Sequence, residues 1–173
     1  MTTGLRTFDV LFLCADNAAR SIMAEALLNR LGAGRFQVRS AGFSPAAVIN
    51  PHARGLLEKI NYATDRLAPK PMTSVMGETD PGYDFIIRLS PDRRGSARLP
   101  QFAGQPVMAD WHLPDPYDLL GSTPAVATAY ADLFNHLAAR IDAFANLSAE
   151  YLTGPSIQGR LDRMGEDAVR LAA

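Results

Sequence analysis

The sequence VLFLCADNAARS, residues Val10 to Ser21, joins an apolar run to a helical pattern through a short polar segment. The apolar run ends at Cys14, and five residues later Arg20 and Ser21 begin a stretch with apolar residues at helical spacing. This pattern predicts a buried strand that carries the thiol into a tight loop, from which a helix leaves at once. Unpaired N–H groups at a helix start attract anions, and a loop can point several of them inward. The stretch therefore predicts an oxyanion site.

Three side chains of this stretch have the chemistry for covalent catalysis on an oxyanion. Arg20 can bind two oxygens of the anion through its planar guanidinium. The same positive field favours Cys14 as a thiolate, the form that attacks, and the Ser21 hydroxyl can donate to that sulfur. The predicted substrate-binding loop consists of Ala15, Asp16, Asn17, Ala18 and Ala19. The alternative is an inert buried cysteine, but the preceding strand, the following helix and the adjacent serine favour the catalytic interpretation.

Composition restricts the classes of function. The 173 residues predict one domain spanning 1–173, with a tail helix in 151–173. A net charge of −1 provides no field for nucleic acid, and no apolar run is long enough for a membrane. The single cysteine excludes an internal disulfide, and the three histidines lie on separate elements, so we expect no metal site. The N-terminus has no signal-peptide pattern, so we expect a cytoplasmic protein with a reduced thiol.

The rest of the chain alternates strand and helix patterns, which predicts an α/β fold. Strands are expected at 8–14, 36–42, 83–89 and 107–109, and helices at 21–31, 51–60, 71–77, from 123 onward and at 156–171. A turn is expected at 80–82, and loops at 61–71, 90–104 and 110–121. Because ligands gather at the carboxyl ends of parallel strands, Cys14 and residues 42–45 are expected at one edge of the sheet.

A general acid should face the nucleophile, because the oxygen that leaves the anion needs a proton. The segment 111–118 (WHLPDPYD) holds Asp115 between two prolines, which stiffen it. An isolated Asp-Pro pair is more typical of a simple turn. In combination with Cys14 and Arg20 we predict that Asp115 is the acid. Phe43 and Tyr117 are the predicted pocket walls.

Several separated motifs together resemble the low-molecular-weight protein tyrosine phosphatase superfamily, and within it most the arsenate reductase branch. They are CADNAARSIMAEALL, SAG from Ser40, NP from Asn50, DFII from Asp84 and WHLPDPYD. The resemblance covers about Val10 to Leu147. It implies a single three-layer α/β domain, in which helices flank a four-stranded parallel sheet.

The same resemblance implies a role for each matching residue. Cys14 corresponds to the nucleophile and Arg20 to the oxyanion clamp, while Asp115 corresponds to the general acid or its positional equivalent. Asn17 and Ser21 correspond to residues that support the loop and the thiolate.

The sequence departs from the family pattern at two places. Thioredoxin-linked arsenate reductases carry two further cysteines after the third strand, and the matching region 90–99 has none. An internal disulfide relay is therefore impossible, and an external thiol would have to resolve an arsenic adduct on Cys14. The phosphatases usually have glycine where this chain has Asp16. That carboxylate would weaken anion binding unless it points away or pairs with a base.

Three functions remain open at this point. The first is an arsenate reductase that has no resident cofactor and uses an external thiol, namely glutathione with glutaredoxin, or mycothiol. The second is a phosphatase that acts on phosphotyrosine or another phosphomonoester through a phosphocysteine. The third is a non-catalytic oxyanion-binding regulatory protein, against which the intact Cys14, Arg20 and Asp115 argue. The expected ligands are arsenate, phosphate or a phosphomonoester.

Overall fold

A computed structural model describes residues 6–77, 82–90, 99–119, 121 and 123–171, with only the backbone for 118 and 167–171. The strands are β1 Phe8–Cys14, β2 Phe36–Gly42, β3 Phe85–Arg88 and β4 Val107–Asp110. The helices are α1 Arg20–Leu31, α2 Pro51–Lys59, α3 Thr123–Ala145, α4 Ala149–Thr153 and α5 Ile157–Leu171. Short 3-10 turns lie at Met72–Ser74 and Pro116–Asp118.

The strands form one parallel sheet in the order β2-β1-β3-β4, flanked by helices, which confirms the predicted fold. β1 lies inside the sheet and pairs with β2 and β3, so Cys14 sits opposite Gly42 at the carboxyl edge. A strand that is covered on both faces requires apolar residues throughout, which explains the uninterrupted run that ends at Cys14.

Two apolar clusters cover the two faces of the sheet. Phe8, Val10, Phe12 and Cys14 face the larger cluster, which includes the buried residues of α1 and α3. Leu11 and Leu13 face a smaller cluster that the segments around 72–76 and 99–102 cover. Each fully buried large side chain contributes about 1.5–3 kcal/mol to folding. The thiol therefore lies at the end of a strand that is buried on both faces.

Local signals predict the element boundaries closely where a cap is present. Asn50 begins α2, because its Oδ1 accepts hydrogen bonds from the amides of His52 at 2.9 Å and Ala53 at 3.4 Å. The helix predicted at 71–77 is only the 3-10 turn Met72–Ser74, and the strand predicted at 83–89 shortens to Phe85–Arg88. The sequence did not predict α4. Residues 80 and 81 of the predicted turn and 91–98 of the predicted loop lie outside the described residues.

In the part of the chain that the structure describes, no helix is both long enough and apolar enough to span a membrane.

Candidate active site

The loop 15–19 connects β1 to α1, and three of its carbonyl oxygens bind the segment that follows β2. The amides of Phe43, Ser44, Ala46 and Asn50 donate to the carbonyl oxygens of Cys14, Ala15, Asp16 and Ala18, respectively, at 2.8–3.2 Å. The segment after β2 thus binds the outer side of the loop. Peptide groups whose oxygens point outward direct their N–H groups to the opposite side, where they can surround an anion.

Two residues give the loop its tight shape. Asn17 has a φ of 50°, in the left-handed region that asparagine tolerates better than most residues. Gly42, directly beside it on β2, leaves no room for a side chain, because a Cβ would lie 2.9 Å from the backbone nitrogen of Asn17. The SAG sequence at the end of β2 therefore permits the loop to pack against the sheet edge.

The side chain of Asn17 is held at both ends and orients the serine next to the thiol. Its Oδ1 accepts from the backbone N–H of Lys70 at 2.8 Å, so its Nδ2 must be the end that donates to Ser21 at 2.7 Å and Ser40 at 2.9 Å. The Ser40 hydroxyl donates onward to Glu25. Since Ser21 Oγ accepts from Asn17, its own proton is available for the Cys14 sulfur, 2.9 Å away.

Cys14 is fully buried, and its surroundings include some influences that stabilise its thiolate and others that destabilise it. Burial raises the pKa of its thiol above the ordinary value, while Arg20 and the Ser21 hydroxyl act in the opposite direction. The backbone N–H of Asn17 points at the sulfur from 3.3 Å. The field of Arg20 thus favours the thiolate, as expected, but in this arrangement the loss of water outweighs that field, and the pKa of the thiol is raised overall.

Asp16 points into the loop rather than away from it. Its Oδ1 accepts a hydrogen bond from the backbone N–H of Ala18 at 3.1 Å and lies 3.7 Å from the Cys14 sulfur. This carboxylate also raises the pKa of the Cys14 thiol. Asp16 therefore binds the amide of Ala18, one of the loop amides predicted to bind the anion.

Arg20 and Asp115, which lie 95 residues apart in sequence, form a buried ion pair. Their Nη2 and Oδ2 atoms are 2.7 Å apart, and the side chains are only 4% and 12% exposed. Arg20 also donates to the carbonyl oxygen of Leu113 at 3.1 Å, and Asp115 Oδ1 accepts from the amide of Tyr117 at 3.0 Å. The structure thus brings the predicted clamp and the predicted acid together, and the acid engages the clamp. We call residues 111–118 the acid loop.

Ser90 belongs to the site, although its sequence context predicts only a surface loop. Ser90 is only 3% exposed, and its Oγ accepts from the backbone N–H of Ala15 at 3.0 Å. The available signal was its position just beyond β3, whose carboxyl end shares an edge with that of β1.

Tyr130 was predicted only as part of the apolar stripe of α3, yet it lies beside the site. Its hydroxyl accepts a hydrogen bond from Asn50 Nδ2 at 2.9 Å, and its ring stacks on His52 with centroids 4.9 Å apart. Burial and the nearby carboxylates of Asp115 and Asp16 raise the pKa of Tyr130 to about 12. A spacing pattern identifies a buried face but not the polar atom at the end of a buried ring.

The predicted pocket walls lie in different surroundings. Phe43 packs against the smaller apolar cluster, whereas Tyr117 is 72% exposed next to the acid. Their role as walls stays a prediction.

Within the described residues, no group of three or more histidine, cysteine or acidic side chains is arranged to hold a metal ion.

The first strand of this parallel sheet ends in a cysteine, and a loop shaped for an anion and an arginine follow it. This combination defines a class of cysteine-based oxyanion proteins. A family model described as low molecular weight phosphotyrosine protein phosphatase matches residues 9–151. The chain belongs to this family, as its motifs indicated, and it is a cysteine-dependent oxyanion enzyme.

Individual relatives agree with this assignment. The chain is 31% identical to a glutaredoxin arsenate reductase from Synechocystis sp. over 107 residues, which cover 62% of this chain and 77% of the relative. A crystal structure of arsenate reductase from Archaeoglobus fulgidus matches with a TM-score of 0.61 and 24% identity, covering 80% of this chain and 99% of that one. An arsenate reductase in the phosphate binding state matches with a TM-score of 0.59 and 26% identity, covering 79% and 98%.

Proposed function

We propose that the protein reduces arsenate, with Cys14 as nucleophile and an external thiol as reductant. The observation that carries the proposal is the placement of the chain's single cysteine at the head of an anion-shaped loop, beside Ser21 and Arg20. A second thiol for an internal disulfide is absent from the sequence. The similarity to a glutaredoxin arsenate reductase supports both the substrate and the kind of reductant.

Substrate binding must first separate Asp115 from Arg20. Cys14 is fully buried and the guanidinium is engaged, so an oxyanion reaches them only when the acid loop moves outward. The same movement admits water to the sulfur and removes the burial that raises its pKa. The positive field of Arg20 and the Ser21 hydroxyl then lower the pKa of the thiol without burial outweighing them, and the thiolate becomes accessible.

The first chemical step joins sulfur to arsenic. The Cys14 thiolate attacks arsenate, an S–As bond forms, and one As–O bond breaks. Asp115, released from Arg20 and in its protonated form, donates its proton to a departing hydroxyl group of the arsenate, which leaves as water. Arg20 and the loop amides hold the remaining oxygens during this step.

The second step transfers electrons and requires an external thiol. A thiolate attacks the Cys14 sulfur, the S–As bond breaks, and its electron pair goes to arsenic, which changes from As(V) to As(III) and leaves as arsenite. Cys14 is left in a mixed disulfide with the external thiol. A second external thiol attacks that disulfide and restores the Cys14 thiol, so two thiols are oxidised for each arsenate reduced.

The second candidate function is hydrolysis of a phosphomonoester, and the exposed ring of Tyr117 favours it. An aromatic side chain at the rim, adjacent to the acid, can contact the aryl group of a phosphotyrosine. Cys14 would form a phosphocysteine, Asp115 would protonate the leaving oxygen, and water would hydrolyse the intermediate. The first step is common to both functions, and only the resolving nucleophile differs. The non-catalytic alternative has no support, since the chain belongs to a family of enzymes.

A side-by-side assay of the purified protein tests the proposal. Arsenite formation is measured with glutathione plus glutaredoxin, with mycothiol, and with thioredoxin plus its reductase, and p-nitrophenyl phosphate hydrolysis is measured without added thiol. We expect arsenite formation with one of the first two systems, and none with Cys14→Ser. Full turnover on thioredoxin alone would refute the external-thiol route. Ester hydrolysis without arsenate reduction in any system would assign the phosphatase function instead.

A further inference from the structure

Helix α5 contacts the chain at the point where the acid loop begins. The indole N–H of Trp111, the first residue of that loop, donates to the carbonyl oxygen of Leu161 on α5 at 2.9 Å. Trp111 is fully buried, and its ring packs against Phe144 at 6.2 Å between centroids. α5 is itself tied to α3, because Arg140 donates to the carbonyl oxygen of Met164 at 3.0 Å. The start of the acid loop is thus held from the side by a helix.

A glycine permits the close approach of this helix. A Cβ placed on Gly165 would overlap the backbone carbonyl oxygen of Asp110 and lie 3.2 Å from Cδ1 of Trp111. Backbone cannot move aside as a flexible side chain can, so any larger residue at 165 must push α5 away from Asp110 and Trp111. Gly159, on the same helix, has only the end of Arg163 within range, at 3.6 Å.

The held segment leads directly to Asp115. The backbone N–H of Trp111 donates to Arg88 at 2.8 Å, and that of Leu113 donates to Leu89 at 3.0 Å, which continues the pairing beyond β4. The carbonyl oxygen of Leu113 then accepts from Arg20. Asp115 follows two residues later, so a displacement at Trp111 is passed along an ordered backbone to the acid.

This helix lies beyond the part of the chain that the family shares. The family match ends at residue 151, and α5 spans Ile157–Leu171. The arsenate reductase of Archaeoglobus fulgidus is covered over 99% of its length by only 80% of this chain. The contact between α5 and the acid loop is therefore made by a segment C-terminal to the family match.

We propose that α5 positions the general acid, with Gly165 and Trp111 as the positioning residues that fix Asp115 beside Arg20. The proposal rests on the proposed function, in which Asp115 supplies the proton. α5 keeps the root of the acid loop fixed while its tip, at 115–117, moves to admit the anion. Neither Gly165 nor Trp111 contacts the substrate in this account.

The test compares Gly165→Ala with the matched substitution Gly159→Ala. Two readouts do not depend on turnover: the emission of Trp111, which is the only tryptophan, and the rate at which iodoacetamide alkylates Cys14, the only cysteine. For Gly165→Ala we expect a red-shifted emission and alkylation that is about fivefold faster, because displacement of the acid loop loosens the Arg20–Asp115 pair next to the buried thiol. For Gly159→Ala we expect wild-type values for both.

Turnover provides a third readout with a signature of acid positioning. If Asp115 is misplaced, kcat/KM falls about tenfold for phenyl phosphate, whose leaving group needs a proton, and changes less than about twofold for 2,4-dinitrophenyl phosphate, whose leaving group does not. A merely destabilised protein would lose both activities in parallel. A wild-type protein inactive on esters and on arsenate would overturn the proposed function, while emission and alkylation would still decide the role of α5.

Trp111→Phe keeps the proposal testable if Gly165→Ala does not fold. This substitution retains an aromatic ring and removes the N–H that binds Leu161, so we expect faster Cys14 alkylation at an unchanged circular dichroism spectrum. Wild-type alkylation rates in both folded variants would overturn the proposal, as would an equal loss of activity on the two esters. If only Trp111→Phe folds, its alkylation rate alone decides whether the proposal stands.

Discussion

Asp16→Asn tests whether the carboxylate inside the loop opposes substrate binding. The substitution removes the charge and keeps an oxygen that can accept from the amide of Ala18, now 3.1 Å from Asp16 Oδ1. The side chain keeps its size, so the loop should retain its shape. Any change in anion affinity then reports the charge itself.

The magnitude follows from the distance between the charges. Asp16 Oδ1 lies 3.7 Å from the Cys14 sulfur, and an anion bound by the loop would lie at a comparable distance. Unit charges about 4 Å apart interact by about 1 kcal/mol in water and about 4 kcal/mol at the effective dielectric of a protein surface. Asp16 is half-buried, so its repulsion lies between these values. With about 1.4 kcal/mol per factor of ten, we expect inorganic phosphate to bind roughly tenfold more tightly to Asp16→Asn.

The assay is the inhibition constant of inorganic phosphate against turnover, confirmed by calorimetric titration of phosphate into the resting protein. Removal of the carboxylate should also lower the pKa of the Cys14 thiol, since Asp16 raises it, and so accelerate iodoacetamide alkylation at pH 7. Asp142→Asn is the charge-matched control. Asp142 is exposed near the end of α3, on the side of the sheet where the strands begin, and Cys14 lies at the other side, where they end. Equal phosphate affinity in Asp16→Asn and wild type would refute the argument.

Four further outcomes follow from the site. Cys14→Ser should keep the fold and abolish turnover, since an alkoxide is not populated near neutral pH; measurable turnover would exclude Cys14 as nucleophile. Arg20→Lys should reduce kcat/KM by at least about two orders of magnitude, or about 3 kcal/mol, because lysine cannot make the planar two-oxygen contact; a change below about fivefold would contradict anion binding by Arg20. Ser90→Ala should lower the free energy of unfolding by about 1–3 kcal/mol, measured in urea, because the buried amide of Ala15 loses its acceptor. Since the pKa of Cys14 is raised in the folded protein, the unfolded thiol ionises first, so stability should fall as pH rises above the ordinary value of 9.0; in a Cys14→Ala variant the decline should begin only above 10.0, where Tyr130 starts to contribute.

Elements with strong local signals could be predicted from the sequence. β1 is apolar from Val10 to Cys14 because both of its faces are covered there, and α2 begins where Asn50 and Pro51 supply a cap and a fixed φ. The loop between Cys14 and Arg20 was also predictable, since a strand that ends just before a helix leaves little choice of path. These signals lie within about ten residues of the structure they specify.

Contacts across long sequence separations could not be predicted in the same way. Ser90 reaches the amide of Ala15 across 75 residues, and α5 reaches Trp111 across 50. Their geometry depends on where strands end relative to one another and on how closely a helix can approach, which periodicity does not encode. Gly165 illustrates the difficulty, because in the sequence it only weakens a helix, whereas in the fold it permits a backbone contact.

The pairing of the charged side chains within the site was the least predictable feature, and its physical reason is electrostatic. A buried guanidinium without a counter-charge is costly, and in this structure Asp115 supplies that charge to Arg20, while Asp16 binds a loop amide. Two donors that the sequence assigned to the anion, Arg20 and the amide of Ala18, thus already bind carboxylates. An anion that takes over Arg20 has to displace Asp115 from it, so the free energy of this buried ion pair opposes substrate binding. The anion must therefore bring at least as much charge to the guanidinium as the carboxylate that it replaces, which favours a dianion over a monoanion as the ligand.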